Sequence, residues 1–314
     1  MEKKKLNTSV ILDKGYGNHF GFNADGSWWA SASPGILHVW NQFNLVRSYE
    51  IPGFAKGNIV FINDDVIRIG LFEINFRSDK QIYFHQIAEN FAQGCTPARP
   101  AHYSQYKISE VLNFETKDLL LVSLAHQPSK VYGVKEIFEG PTNRLLLFNS
   151  RNSELLKIVA ENYEGRSYRN LVAWGERLFF SVDGESCFVF RMNDAVNKFP
   201  AVHGFIPMRA INNFVAGSYD YKYVQFRNTS DLEVNWQLPM VYESVHQIDG
   251  FADLILAGVN DNLLQLWKIG ANETAPDYQI SCPGNIEGIS LAADGRFFIA
   301  LAGTENTIWV MEVE

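Results

Sequence analysis

Short apolar runs of four to eight residues, rich in Val, Ile, Phe, Tyr and Trp, recur along the whole chain, each broken by Gly, Asn, Asp or Pro. Such runs are too short for helices and carry no sustained 3.6-residue period, so they specify strands joined by tight turns. The first stretch shows the unit. His19 to Phe22 reads as a strand, Asn23-Ala24-Asp25-Gly26 as a turn and Ser27 to Ser31 as a second strand. Ser33-Pro34-Gly35 is the next turn, Ile36 to Trp40 a third strand and Leu45 to Ile51 a fourth. Near the other end, Ala292-Ala293-Asp294-Gly295 occupies the place of Asn23-Ala24-Asp25-Gly26. Asp-Gly suits these turns because glycine takes positive φ at little steric cost.

The unit repeats. First strands are expected near Asn18, Asn58, Lys107, Tyr168, Pro207, Val245 and Ile286. Four of the six intervals are about 40 residues, the length of one four-stranded propeller blade. The two longer intervals hold extra loops, Gln93 to Gln105 and Gln127 to Asn143, the second with a short helical pattern at Val134 to Phe138. Seven units fill residues 1–314 without a linker, which predicts a single all-β domain, a seven-bladed β-propeller. The last unit has only three strands, and Thr8 to Leu12 is an orphan strand that would complete it. Such closure removes two exposed sheet edges.

Val39-Trp40-Asn41, Leu266-Trp267-Lys268 and Ile308-Trp309-Val310 close third strands, and Gly17-Asn18-His19 opens the first unit. In these features the chain resembles the WD-repeat β-propellers, whose blades end in Trp-Asp and open with Gly-His. No Asp follows any of the three tryptophans, so that family's Asp–His–Ser/Thr network is not carried over. The resemblance implies a rigid scaffold that binds proteins, peptides or, less often, nucleic acid.

Thirty-five acids oppose 27 bases, a net charge of −8, the wrong sign for a general binder of nucleic acid or anionic membrane. A local basic face would have to come from Arg77, Arg144, Arg151, Arg166 and Arg169. The basic start Glu2-Lys3-Lys4-Lys5 is followed by an apolar stretch too short for a signal or a membrane span. Cys95, Cys187 and Cys282 are far apart and form neither a disulfide framework nor a metal-spaced set, which points to a reducing, cytoplasmic setting. The seven histidines show no ligand spacing, no Gly-x-Ser-x-Gly elbow is present, and no cofactor or metal is expected. Carboxylates at first-turn positions, Asp25, Asp64-Asp65, Glu115 with Asp118, Glu176, Asp249 with Asp253 and Asp294, read as a solvated rim.

Aromatic residues are the more informative signal: Phe 23, Tyr 13 and Trp 7, or 14% of the chain. Loops between blades should share one face with the turns joining second and third strands. That face receives Tyr163, Arg166, Tyr168 and Arg169 before the fourth blade and Tyr219 and Tyr221 at a turn of the fifth. Tyr16, Phe54, Tyr103, Tyr106, Phe205 and Tyr242 fall in other inter-blade loops. The Gln127–Asn143 insertion adds Tyr132, Ile137 and Phe138. Tyr and Arg are enriched in binding hot spots because each joins contact area to a polar end. The expected function is a non-enzymatic scaffold, a monomeric subunit that binds one or more proteins within a hetero-complex. The two arginines would favour an acidic or aromatic segment. The alternative is an enzyme or small-ligand sensor with its site at the mouth of the central channel.

Overall fold

The structure is a computed structural model that describes residues 8–11, 19–33, 35–42, 44–51, 57–83, 106–114, 118–126, 141–193, 201–269, 274–282, 284–292, 297–302 and 307–312. Six blades are each built from four consecutive antiparallel strands that run in order from the centre outward. Blade 1 holds His19–Phe22, Trp28–Ser33, Ile36–Asn41 and Asn44–Glu50, and blade 2 holds Ile59–Asn63, Val66–Ile69, Phe72–Asn75 and Lys80–Tyr83. Blade 3 holds Tyr106–Asn113, Leu119–His126, Asn143–Asn149 and Leu155–Asn162, and blade 4 Tyr168–Trp174, Arg177–Val182, Ser186–Arg191 and Ala201–His203. Blade 5 holds Phe205–Ile211, Phe214–Tyr219, Tyr223–Asn228 and Val234–Gln237, and blade 6 Val245–Phe251, Leu254–Val259, Leu263–Lys268 and Tyr278–Ser281.

The remaining sheet is composite. Ile286–Leu291, Phe297–Ala302 and Thr307–Glu312 come from one end of the chain, and Thr8–Ile11 from the other, paired from Thr8↔Val310 to Ile11↔Thr307. The expectation of seven repeating units is corrected in this respect: six blades are self-contained, and the seventh four-stranded sheet is assembled from both ends. The helical pattern at Val134 to Phe138 lies outside the described residues.

The core is a series of apolar layers between neighbouring blades. Blades 1 and 2 enclose Leu37, Val39, Ile67 and Ile74, blades 3 and 4 Leu121, Leu145, Leu178 and Phe180, and blades 5 and 6 Val224, Phe226, Ile255 and Trp267. Trp29 and Trp40 stack at 4.8 Å, and the Trp40 indole N–H donates to Ser31 Oγ at 3.1 Å. The Trp–Ser half of the WD-type network therefore survives in blade 1. In blade 6 the Gln265 carbonyl takes that role, accepting from the Trp267 indole at 3.1 Å and the Tyr242 hydroxyl at 2.9 Å.

Inner strands carry a recurrent irregularity. Register shifts fall at Ile108/Glu110, Arg169/Val172, Pro207/Arg209, Val245/Gln247 and Ile286/Gly288, near the start of five of the seven inner strands. A bulge leaves one residue unpaired and re-aims those that follow. It also frees N–H groups for the neighbouring blade: Asn170 and Leu171 donate to the Glu110 carboxylate, both at 2.9 Å. Asp249, expected on a solvated rim, is instead buried in an inner strand. It pairs with Arg209 of blade 5 at 2.9 Å and accepts from the Leu291 N–H of the composite sheet at 2.8 Å.

Burial raises the Cys187 thiol to about 12 and the Cys282 thiol to about 11, which suppresses the reactive thiolate. Native protein should leave both unmodified by iodoacetamide at pH 8, with labelling at least about 100-fold faster in denaturant; peptide mapping would measure this.

Candidate functional site

The turns between second and third strands are held against the connections that enter the same blade. In blade 4, Asp183 has φ 53° and Gly184 φ 75°; in blade 5 the same places are Asp220 at 49° and Tyr221 at 59°; in blade 6 they are Asn260 and Asp261. The turn N–H groups reach back to the entering chain: Asp183 to Ser167 O, Asp220 to Gly204 O and Asn260 to Ser244 O, at 2.9 to 3.0 Å. Side chains reinforce this. Asp183 Oδ1 accepts from the Ser167 N–H at 2.7 Å, and Asp261 pairs with His246 at 2.8 Å.

These loops are also joined from blade to blade. The Tyr221 hydroxyl donates to Gly184 O at 3.1 Å, tying blade 5 to blade 4. The Tyr242 N–H donates to Lys222 O at 2.9 Å, fastening the connection into blade 6 onto the blade 5 turn. The result is a continuous hydrogen-bonded arc over blades 4, 5 and 6. Three large apolar side chains stand out from it: Tyr163 is 66% exposed, Val241 63% and Tyr221 57%. Tyr221 is notable because a bulky residue with positive φ carries a steric cost of about 1 kcal/mol that glycine would avoid.

The structure sorts the residues expected in this site. Tyr163 and Tyr221 lie on the arc. Tyr168 does not: it is 4% exposed, meets the Phe180 ring edge-on at 5.7 Å and packs into the apolar layer between blades 3 and 4. Tyr219 is half-buried, packed near Tyr223 and beneath the Arg227 guanidinium, so it supports the turn from below. Phe205 and Tyr242 are core residues. Tyr132, Ile137 and Phe138 lie outside the described residues, as do Tyr16, Phe54 and Tyr103. Val241 was not among the expected residues; it sits in the connection Leu238-Pro239-Met240-Val241, in which Leu238 is buried and Val241 exposed, and the apolar composition of that stretch was the available signal.

The arc is not the basic patch that the sequence suggests. Arg166 is paired with Glu164 at 3.2 Å, and Arg169 sits close enough to Glu110 to offset part of the burial that raises that carboxyl. Segments 163–167, 183–185, 219–222 and 240–244 hold five carboxylates against two cations. The other arginines considered for nucleic acid are also occupied: Arg77 with Asp65 and the Trp28 ring, Arg144 with Glu161, and Arg151 with Asp118. At the channel, Glu110, Arg209 and Asp249 are engaged in blade-to-blade contacts. Among the described residues no group of three His, Cys, Asp or Glu is placed to hold a metal ion, and no helix is long and apolar enough to cross a membrane.

No protein-family model matches the sequence, and no curated protein is similar to it. Solved structures are similar in fold. The β-propeller domain of Cps50 (Swd1) from Myceliophteria thermophila superposes with a TM-score of 0.64 at 10% identity, covering 98% of this chain and 100% of that one. The RRP9 WD40 repeats give 0.68 at 11% identity, covering 98% and 97%, and U3-55K gives 0.66 at 11%, covering 98% of each chain. The chain thus has a WD-repeat-like propeller fold.

Proposed function

We propose that this protein is a non-enzymatic interaction scaffold, a cytoplasmic subunit that binds other proteins through the arc over blades 4 to 6. The observation that carries this reading is the display of Tyr163, Tyr221 and Val241 in solvent on loops locked to one another by hydrogen bonds. Exposed aromatics on a pre-ordered surface lose little conformational freedom on binding, which makes them efficient anchors. Tyr221 adds a second argument. Its left-handed backbone is a local cost to folding that a contact with a partner would offset. Regular pairing within the blades fixes the scaffold, and loops held on such rigid scaffolds often carry function.

Tyr221→Gly separates folding from binding. Glycine relieves the positive-φ strain but removes the hydroxyl bond to Gly184, so the melting temperature should stay within about 2 °C of the native protein. Capture of a stoichiometric partner, scored by affinity purification from the native host and mass spectrometry, should fall. With the partner in hand, the loss of affinity should be roughly 2 kcal/mol, about thirtyfold. Unchanged affinity for Tyr221→Gly and Tyr163→Ala alike would remove the arc from the interface.

A further inference from the structure

The charge of the arc names its occupant. Glu185, Asp220 and Glu243 are exposed and carry no ion pair among the described residues; Asp220 precedes Tyr221, Glu243 is two residues from Val241, and Glu185 follows Gly184, whose carbonyl accepts from the Tyr221 hydroxyl. Arg166 is held by Glu164 within its own loop, and the Arg227 guanidinium lies over the Tyr219 ring and donates to Gln225 Oε1 and Leu232 O. A segment docking here meets apolar anchors set among uncompensated carboxylates. Acidic side chains on that segment would be repelled, whereas Lys or Arg would gain long-range attraction and orientation. Electrostatic steering of this kind acts on association as much as on final affinity.

We propose that the arc docks a basic segment of a partner protein, one in which Lys or Arg residues flank apolar side chains. This rests on the reading of the arc as the binding surface, and it reverses the acidic preference that Arg166 and Arg169 suggest in sequence. Lys222 does not alter the sign, since it and Arg166 are outnumbered by the five carboxylates of the same loops. The apolar anchors provide contact area, and the carboxylates select the flanking charge.

A random twelve-residue peptide library displayed on phage, panned against the immobilised full-length protein, supplies an unbiased probe. Selected peptides are then measured by fluorescence anisotropy against native protein, against Tyr163→Ser/Tyr221→Gly/Val241→Ser, and against Glu185→Lys/Asp220→Lys/Glu243→Lys. The expected result is enrichment of Lys and Arg beside apolar residues. Binding should weaken at least about tenfold in the apolar variant and in the charge-reversed variant, with a steep loss between 50 and 300 mM salt. Peptides that need the apolar residues but are acidic or neutral, and that bind the charge-reversed variant as well as the native protein, would overturn the basic preference and leave the arc as the interface. Binders indifferent to the apolar variant would overturn the arc itself. Recovery of no peptide would overturn docking of a linear segment. Circular dichroism melts of both variants, within about 3 °C of the native protein, show that any loss is not unfolding.

Discussion

Deleting residues 1–13 should lower the melting temperature by roughly 8 °C and broaden the transition. The deleted segment contains Thr8–Ile11, the outer strand of the composite sheet, which pairs with Thr307–Glu312 in antiparallel register. Four residue pairs are lost, worth about 4 kcal/mol if each ladder bond contributes about 1. For a chain of this length about 2 °C follows from each kcal/mol. The same deletion leaves Thr307–Glu312 as an unpaired edge, so association at high concentration should increase. Calorimetry and light scattering measure both effects. A truncated protein that melts within a degree or two of the native chain would mean that the ring does not depend on this strand.

The second large effect is expected at Asp249. Its carboxylate bonds to Arg209 on one side, at 2.9 Å, and to the Leu291 N–H on the other, at 2.8 Å, so one side chain joins blades 5 and 6 to the composite sheet. It also accepts from the Gly250 N–H at 2.9 Å. Asp249→Ala would leave a guanidinium without its counter-charge and two N–H groups without an acceptor. Arg209 is 43% exposed, so water takes up part of its charge, and the loss, carried mainly by the N–H groups left without an acceptor, is about 2 kcal/mol. Asp249→Asn keeps an acceptor oxygen and should recover about half of the loss. The pair of variants therefore separates the bond from the charge, with denaturant unfolding as the readout. Equal stability of Asp249→Ala and the native protein would remove this side chain from any role in joining the blades.

The strand starts were legible in the sequence because turn chemistry is local. Asp-Gly and Asn-rich breaks located inner strands near Asn18, Asn58, Lys107, Tyr168, Pro207, Val245 and Ile286. The structure begins them at His19, Ile59, Tyr106, Tyr168, Phe205, Val245 and Ile286. Side-chain direction was less legible. A period-two pattern assumes unbroken alternation, whereas the bulge between Arg169 and Val172 resets the facing of the residues beyond it, and Tyr168 is the first residue of the inner strand, packed in the core, and not part of an exposed connection. Asp249 was misplaced for a related reason: it lies on an inner strand that continues to Phe251, so no turn exposes it. The charge of the arc was hidden because pairing is spatial. Arg166 reads as a free cation until Glu164 is seen beside it, and Arg169 until Glu110, 59 positions earlier in the chain, is brought close by the neighbouring blade. Val241 carries neither an aromatic ring nor a charge, and no insertion marks its connection as the Gln127–Asn143 loop marks Ile137.

The most direct measurement of the account is site-specific photocrosslinking in the native host. A benzophenone amino acid would be placed singly at Tyr163 and Tyr221 on the arc, and at Trp174 and Phe251, which end inner strands at the opposite face and are also exposed. The expected result is a crosslink from both arc positions to the same protein, with none to it from Trp174 or Phe251. A protein captured reproducibly from Trp174 or Phe251, with the arc positions silent, would contradict the account and place the interface on the other side of the ring.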